Sequence, residues 1–216
     1  EEFVDQGGYA DKRYWKNPFV KEGRVLSWEE AAALFTDRTG RPGPAAWEMG
    51  SYPEGQGDHP VGGISWYEAA AFAEFAGKSL PTLYHWIISA GQGNAAATIP
   101  QSHFGGSGPT PAGRLEGLGP FGTYDMAGNV REWCWNASVD SRYHMGGAWS
   151  DPSYKFYQPT ASSPFDRSVE NGLRCVKYLS PESLPDVTLR PMPMPFARDF
   201  DKEKPVSDET FAIYKR

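Results

Sequence analysis

The stretch Gly122-Thr-Tyr-Asp-Met-Ala-Gly-Asn-Val-Arg-Glu-Trp133, followed by Gly146-Gly147-Ala148-Trp149 and then Gly172-Leu173-Arg174-Cys175, decides how this chain is read. In the first phrase Gly128-Asn129 reads as a tight turn. Asp125, Asn129, Arg131 and Glu132 read as polar groups that satisfy backbone beside a strand burying Trp133 and Trp135. That structural reading is preferred to a catalytic one. Short strands are expected over 130–135, 143–149 and 172–178.

Helices lie upstream of these strands. Ser27 with Glu30 forms a capping-box pattern, and Trp28, Ala31, Ala32, Leu34 and Phe35 supply an apolar face, so a helix is expected from Ser27 to about 38–40. Ser65 with Glu68 repeats the grammar, with Trp66, Ala69, Ala70, Phe72, Ala73 and Phe75 buried until Gly77 ends the helix. Thr82 caps a third, with Leu83, Trp86, Ile87 and Ile88 as core. Trp47 to Gly50 reads as a short strand, and Gly91 to Gly122 as a long Gly/Pro-rich loop. The pattern is α+β.

Beyond Tyr178 the prolines Pro181, Pro185, Pro191, Pro193, Pro195 and Pro205 disfavour helix and ladder alike. The reading is one core-bearing domain over 1–178 and a Pro-rich linker or extended arm over 179–216, with a brief helix at 207–214 presenting Phe211 and Tyr214. The opening residues read as mid-helix sequence rather than as a natural start.

Composition narrows the function. The 216 residues are 39% apolar and carry a net charge of -6, with no basic stripe to neutralise a phosphate backbone, so nucleic acid is not an expected partner. No apolar run reaches the roughly 20 residues of a membrane helix, so no membrane contact by this fragment is expected. Cys134 and Cys175, the two cysteines, lie in apolar phrases, and two core thiols are preferred to a bridge.

His59, His85, His103 and His144 show no two-histidine metal spacing, and Asp37 with Glu48 has no spacing that selects it over other acids. The segment 146–157 is the candidate site: Gly146-Gly147 permits close backbone approach, and aromatics surround one acid and one base. The ligand-binding candidates are Trp149, Asp151, Tyr154, Lys155 and Tyr157, with His144 nearest to them. A peptide or small polar ligand suits that mixture.

Together the three phrases, with Pro60-Val-Gly-Gly-Ile-Ser-Trp66, Glu68-Ala69-Ala70, Ala76-Gly77-Lys78 and Leu80-Pro81-Thr82, resemble the formylglycine-generating enzyme or sulfatase-modifying factor family from about Phe3 to Tyr178. The resemblance implies that family's irregular, modified C-type-lectin-like α+β fold, with the family's first strand and helix preceding this stretch. Catalytic members hold Cu(I) between two cysteines five residues apart, just after the Gly-Gly phrase, and use O₂ to oxidise a substrate cysteine to formylglycine. Alignment on that phrase puts Ala148 at a supporting serine, Asp151 at the first cysteine and Phe156 at the second. Neither carboxylate nor phenyl replaces a thiolate that binds a soft metal or attacks a disulfide. No catalytic residue is assigned, no cofactor is expected, and copper least of all.

The resemblance also implies a calcium loop at Gly119, Gly122 and Tyr124, where Gly119 stands in place of the expected Asn; a second calcium loop has no counterpart near His103. Cys175 falls at a structural cysteine of some members, whose partner position here is Ala73. The branch most alike is found in large bacterial proteins, between a Ser/Thr kinase and a hydrolase-like domain. The implied function is a non-catalytic ligand-binding module, a pseudoenzyme, on the outer, extracytoplasmic side of a membrane-anchored kinase. The alternatives are an active oxidoreductase of the family using a different site, or a structural spacer.

Overall fold

A computed structural model describes residues 1–192 and 206–215 of the chain. The chain opens with helix α1 (Glu2–Asp5) and a two-residue hairpin of β1 (Val20–Lys21) and β2 (Arg24–Val25). Helices α2 (Trp28–Ala32), α3 (Trp66–Phe75), α4 (Leu83–Ala90) and α5 (Ala95–Thr98) follow. Strands β3 (Arg131–Ser138), β4 (Ser141–Met145), β5 (Thr160–Ser162) and β6 (Asn171–Gly172) form one sheet in the order β5-β4-β3-β6, with β3 and β6 parallel and the other pairs antiparallel. Helices α6 (Asp186–Leu189) and α7 (Asp208–Tyr214) come last. No described helix is long and apolar enough to cross a membrane.

Local chemistry explains the helix starts. Ser27 and Ser65 each accept a hydrogen bond from the amide three residues on, and the carboxylates of Glu30 and Glu68 each accept one from the cap residue's own amide, so both capping boxes are complete. Thr82 caps α4 by accepting from the His85 amide, and Gly91 ends that helix in the left-handed region.

Helix α2 is shorter than its apolar face predicts, because it stops at Ala32 rather than near 38–40. The buried carboxylate of Asp37 captures the amides of Thr39 (2.8 Å), Arg41 (3.0 Å) and Gly50 (2.7 Å), which draws the following chain into a closed loop instead. Within that loop the expected strand at 47–50 is only a bridge from Glu48 to Ser51, with Met49 at φ 55°. The long loop from Gly91 is not wholly irregular, since α5 and short 3₁₀ turns occupy its first part.

Two core clusters meet at β3. Trp133 packs with Phe3, Phe35, Trp66 and Tyr67 around α3, whereas Cys134 packs with Trp86, Met126, Met145 and Phe156 beside α4. Consecutive strand residues point to opposite faces, so β3 serves both clusters. Cys175 packs on the first cluster and is only partly buried; both cysteines are free thiols. Strand β4 ends at Met145, short of the predicted 149, and the predicted strand over 172–178 is reduced to β6 and a bridge from Ser79 to Val176.

The helix at 208–214 forms, and Phe211 and Tyr214 are both exposed. Pro193, Pro195 and Pro205 of the predicted arm lie outside the described residues.

Candidate functional site

The Gly-Gly turn is where three loops are laced together. Gly146 and Gly147, at φ 93° and 72°, take the chain out of β4 through a region closed to most side chains. The Gly128 amide then donates to the Gly146 carbonyl (2.9 Å), the Trp149 amide to the Asn129 carbonyl (2.8 Å), and the Gly106 amide to the Trp149 carbonyl (2.6 Å). Asn129 itself is buried at φ 62°, and its side chain accepts from the Thr110 amide and donates to the Thr110 carbonyl, both at 3.0 Å. A Cβ at Gly128 would lie 2.1 Å from the His103 carbonyl oxygen, so glycine is sterically required there. The polar phrase therefore ties loops together.

Asp151 follows that turn and is already engaged. Its Oδ2 accepts from Arg131 Nε, its Oδ1 from Arg131 Nη2, both at 2.8 Å, and Oδ2 also takes the Ala148 amide at 2.9 Å. Burial alone would raise the Asp151 pKa, but the donors from Arg131 and Ala148 override it and hold the carboxyl below its ordinary value. Phe156 is fully buried and meets Trp86 edge-on at 6.1 Å. Burying a side chain of that size contributes about 1.5–3 kcal/mol. Asp151 is thus one half of a closed ion pair, and Phe156 a piece of core.

The remaining candidates do not share one pocket. Tyr154 and Tyr157 are exposed on the 3₁₀ turn 153–157, and Lys155 lies 5.9 Å from the Tyr154 ring centre. His144 is buried in β4, with Nε2 2.9 Å from Ser162 Oγ and its ring against Trp133. Burial, then the nearby Arg131, lowers its pKa to about 4 despite the opposing pull of Asp166 and Asp151. It is a neutral interior side chain.

Trp149 alone of the six borders a cleft of ≈ 670 Å³, together with Trp47, Tyr52, His59, Ser107 and Val169. Trp47 and Tyr52 meet edge-on at 5.7 Å and form one wall. Among the described residues the buried Trp149 indole N–H has no acceptor, and the buried Thr110 hydroxyl, one residue beyond the lining Pro109, has no partner. A buried unpaired polar group costs about 1–3 kcal/mol, which the packing around these two side chains must offset. No local pattern marks Trp47, Tyr52, His59 or Ser107 as neighbours, because they come from loops brought together only in three dimensions.

Neither family metal fits these residues. Cu(I) would need thiolates where Asp151 is clamped and Phe156 is packed. In the proposed calcium loop the Tyr124 carbonyl accepts from Arg174 Nη2 at 2.9 Å, and the Thr123 and Gly119 carbonyls accept the amides of Gly119 (2.7 Å) and Gly122 (3.1 Å). A divalent cation there would sit against a guanidinium. Among the described residues no group of three or more His, Cys, Asp or Glu side chains could hold a metal ion.

Comparison with known proteins bears on this geometry. Residues 1–179 match the model of the sulfatase-modifying factor enzyme 1-like domain. The serine/threonine-protein kinase Pkn1 of Chlamydia caviae is 40% identical over 88 residues, covering 37% of this chain and 14% of the kinase. Hercynine oxygenase of Mycolicibacterium smegmatis is 29% identical over 147 residues, 61% of this chain and 33% of that enzyme. The formylglycine-generating enzyme of Thermomonospora curvata is 33% identical over 118 residues, covering 39% of each. Each match thus spans a minor part of the relative. Among solved structures, CarF aligns at 21% identity and a TM-score of 0.49, covering 57% of this chain and 69% of CarF.

Proposed function

The chain belongs to the sulfatase-modifying factor enzyme 1-like family, and from that premise we propose that it is a non-oxidising member, a module that binds a peptide or small polar ligand within a larger bacterial protein carrying a Ser/Thr kinase. The observation that carries the first half is the state of the two former thiol positions. Asp151 spends its carboxylate on Arg131 and the Ala148 amide, and Phe156 fills the core beside Trp86. No sulfur stands at either place to hold a soft ion.

The ligand site of this reading is the cleft beside Trp149. Its aromatic wall of Trp47, Tyr52 and Trp149 supplies apolar contact, and His59 and Ser107 in the same lining supply polar groups for a carbonyl or carboxylate oxygen. Kinase linkage is supported by the likeness to the Chlamydia kinases, of which this stretch is a small part.

Two measurements test the proposal. Titration with Cu(I) under O₂, using a cysteine-containing peptide, is expected to show neither stoichiometric binding nor oxygen uptake; both together would overturn the non-oxidising reading. A thermal-shift screen of free amino acids and tripeptides is expected to give hits that Trp149→Ala weakens at least tenfold. Hits indifferent to Trp149→Ala would remove the cleft from the argument.

A further inference from the structure

The Pro-rich arm does not leave the body at Tyr178. Asn136, in the middle of β3, has no exposed surface, and both ends of its amide are used. Its Oδ1 accepts the Leu83 amide at the start of α4 (2.8 Å), while Nδ2 donates to the carbonyls of Thr188 (2.8 Å) and Arg190 (3.1 Å). Two residues later the Tyr143 hydroxyl donates to the Met192 carbonyl (2.6 Å), and the Met192 amide donates to the Ala137 carbonyl (2.8 Å). Residues 181–192 therefore form a strap fastened at its far end. Peeling it away would strand a buried amide that also caps a helix.

The strap does not fill the groove that it crosses. Beneath it lies a half-open cavity of ≈ 250 Å³, walled by Leu80, Trp135, Leu184 and Leu189. An apolar cavity of about 150 Å³ is enough for benzene, so this one admits a ring or short chain with a head group. Lys16 and Lys78 line it and make no ion pair among the described residues; Glu74 is the one acid in the lining. The interior favours hydrocarbon, and the rim carries net positive charge.

We propose that this strap-covered cavity binds a small monoanion with an apolar body, of the medium-chain or aromatic carboxylate class, and that the strap is its lid. The cavity shares no lining residue with the cleft beside Trp149, so this site stands or falls apart from the function proposed above.

Calorimetric titration of the whole chain with octanoate, and with octylamine as the cationic counterpart, tests it. Octanoate is expected to bind at least tenfold more tightly than octylamine. At saturation, hydrogen exchange of the amides in 184–192 is expected to slow at least threefold. Replacing both lysines, Lys16→Ala with Lys78→Ala, touches only exposed side chains and is expected to weaken octanoate at least fivefold. Leu184→Trp, which fills the cavity from the strap side, is expected to abolish binding while leaving the circular dichroism spectrum intact. Failure of octanoate to bind, equal binding of octylamine, unchanged exchange in the strap, or full affinity in the double-lysine variant would each overturn the proposal.

Discussion

Arg167 and Arg131 make the same bond, a two-pronged grip on a carboxylate, yet they hold very different amounts of the molecule. Arg167 places Nε and Nη2 at 2.8 Å from the two oxygens of Glu68, and then spends its remaining donors on the carbonyls of Leu34 (3.0 Å), Thr36 (2.7 Å) and Gly43 (2.6 Å). Glu68 also accepts from the Tyr9 hydroxyl and closes the capping box of α3. One guanidinium thus joins the end of α2, the Asp37 loop, α3 and the segment before β6. Among the described residues the Arg131 side chain hydrogen-bonds only Asp151, holding the turn after Gly147 to the start of β3. The lesson is that the strength of such a pair lies less in its two bonds than in how many chain segments lose their partners when it goes.

The largest effect is expected at Arg167. The Glu68 side chain keeps 1% of its exposure, so Arg167→Met leaves a buried carboxylate unpaired together with three carbonyls. Breaking a pair this way costs about 3–5 kcal/mol. At about 2–4 °C per kcal/mol for a chain of this size, the melting temperature should fall by about 6–20 °C, as read by circular dichroism. Replacing Glu68 by Gln in the same variant should return part of the loss. A drop no larger than that of Asp151→Asn would erase the distinction between the two sites.

The second effect is a pH dependence that reports on the other region. His144 lies among Arg131, Asp151, Lys155 and Asp166, and its folded pKa of about 4 is below the ordinary 6.5. Between those values only the unfolded chain takes up the proton, so stability falls as pH is lowered from about 6.5 to 4 and stops falling on this account below 4. The shift corresponds to about 3 kcal/mol at about 1.36 kcal/mol per unit. Asp37, where burial would raise the pKa but donors from Thr39, Gly50 and Arg41 bring it to about 2, adds a separate loss only as pH falls from its ordinary 3.8 toward 2. Denaturant midpoints measured every half unit should separate the two windows. His144→Gln should flatten the upper window and leave the lower one; an unchanged upper slope would mean that His144 is not buried as a neutral group.

How much of this was legible follows from sequence distance. The capping boxes at Ser27 and Ser65 and the cap at Thr82 were readable because each joins residues three apart. The family was readable because the Gly128-Asn129 and Gly146-Gly147 turns depend on residue types that few alternatives satisfy. Arg167 was invisible, since its partners lie 99 to 133 residues away and nothing local marks it. Asp37 looked like any surface acid, because the amides it collects are in a loop that its own carboxylate organises. His144 was placed near the pocket because it precedes the Gly-Gly turn by two residues. In the sheet β4 is covered on both faces, with Tyr143 and Met145 in one cluster and His144 against Trp133 of the other.

The smallest effect belongs to Asp151, and it is the sharpest test of the comparison. Asp151→Asn keeps the shape and one acceptor for Arg131 or the Ala148 amide, but removes the charge. Arg131 keeps 22% of its side-chain exposure and can turn to water, so the cost should be about 1–2 kcal/mol, well short of that at Arg167. Asp151→Ala should cost somewhat more, because the Ala148 amide then loses its acceptor as well. Removing the negative charge also takes away one of the two groups that raise the His144 pKa, so the upper pH window should widen downward in Asp151→Asn. A small loss of stability with that widened window would show a tolerant position, free to change its side chain without unfolding the domain. A loss as large as that of Arg167→Met would instead make the Arg131 clamp part of the structural frame, and the carboxylate at 151 a group that the fold depends on.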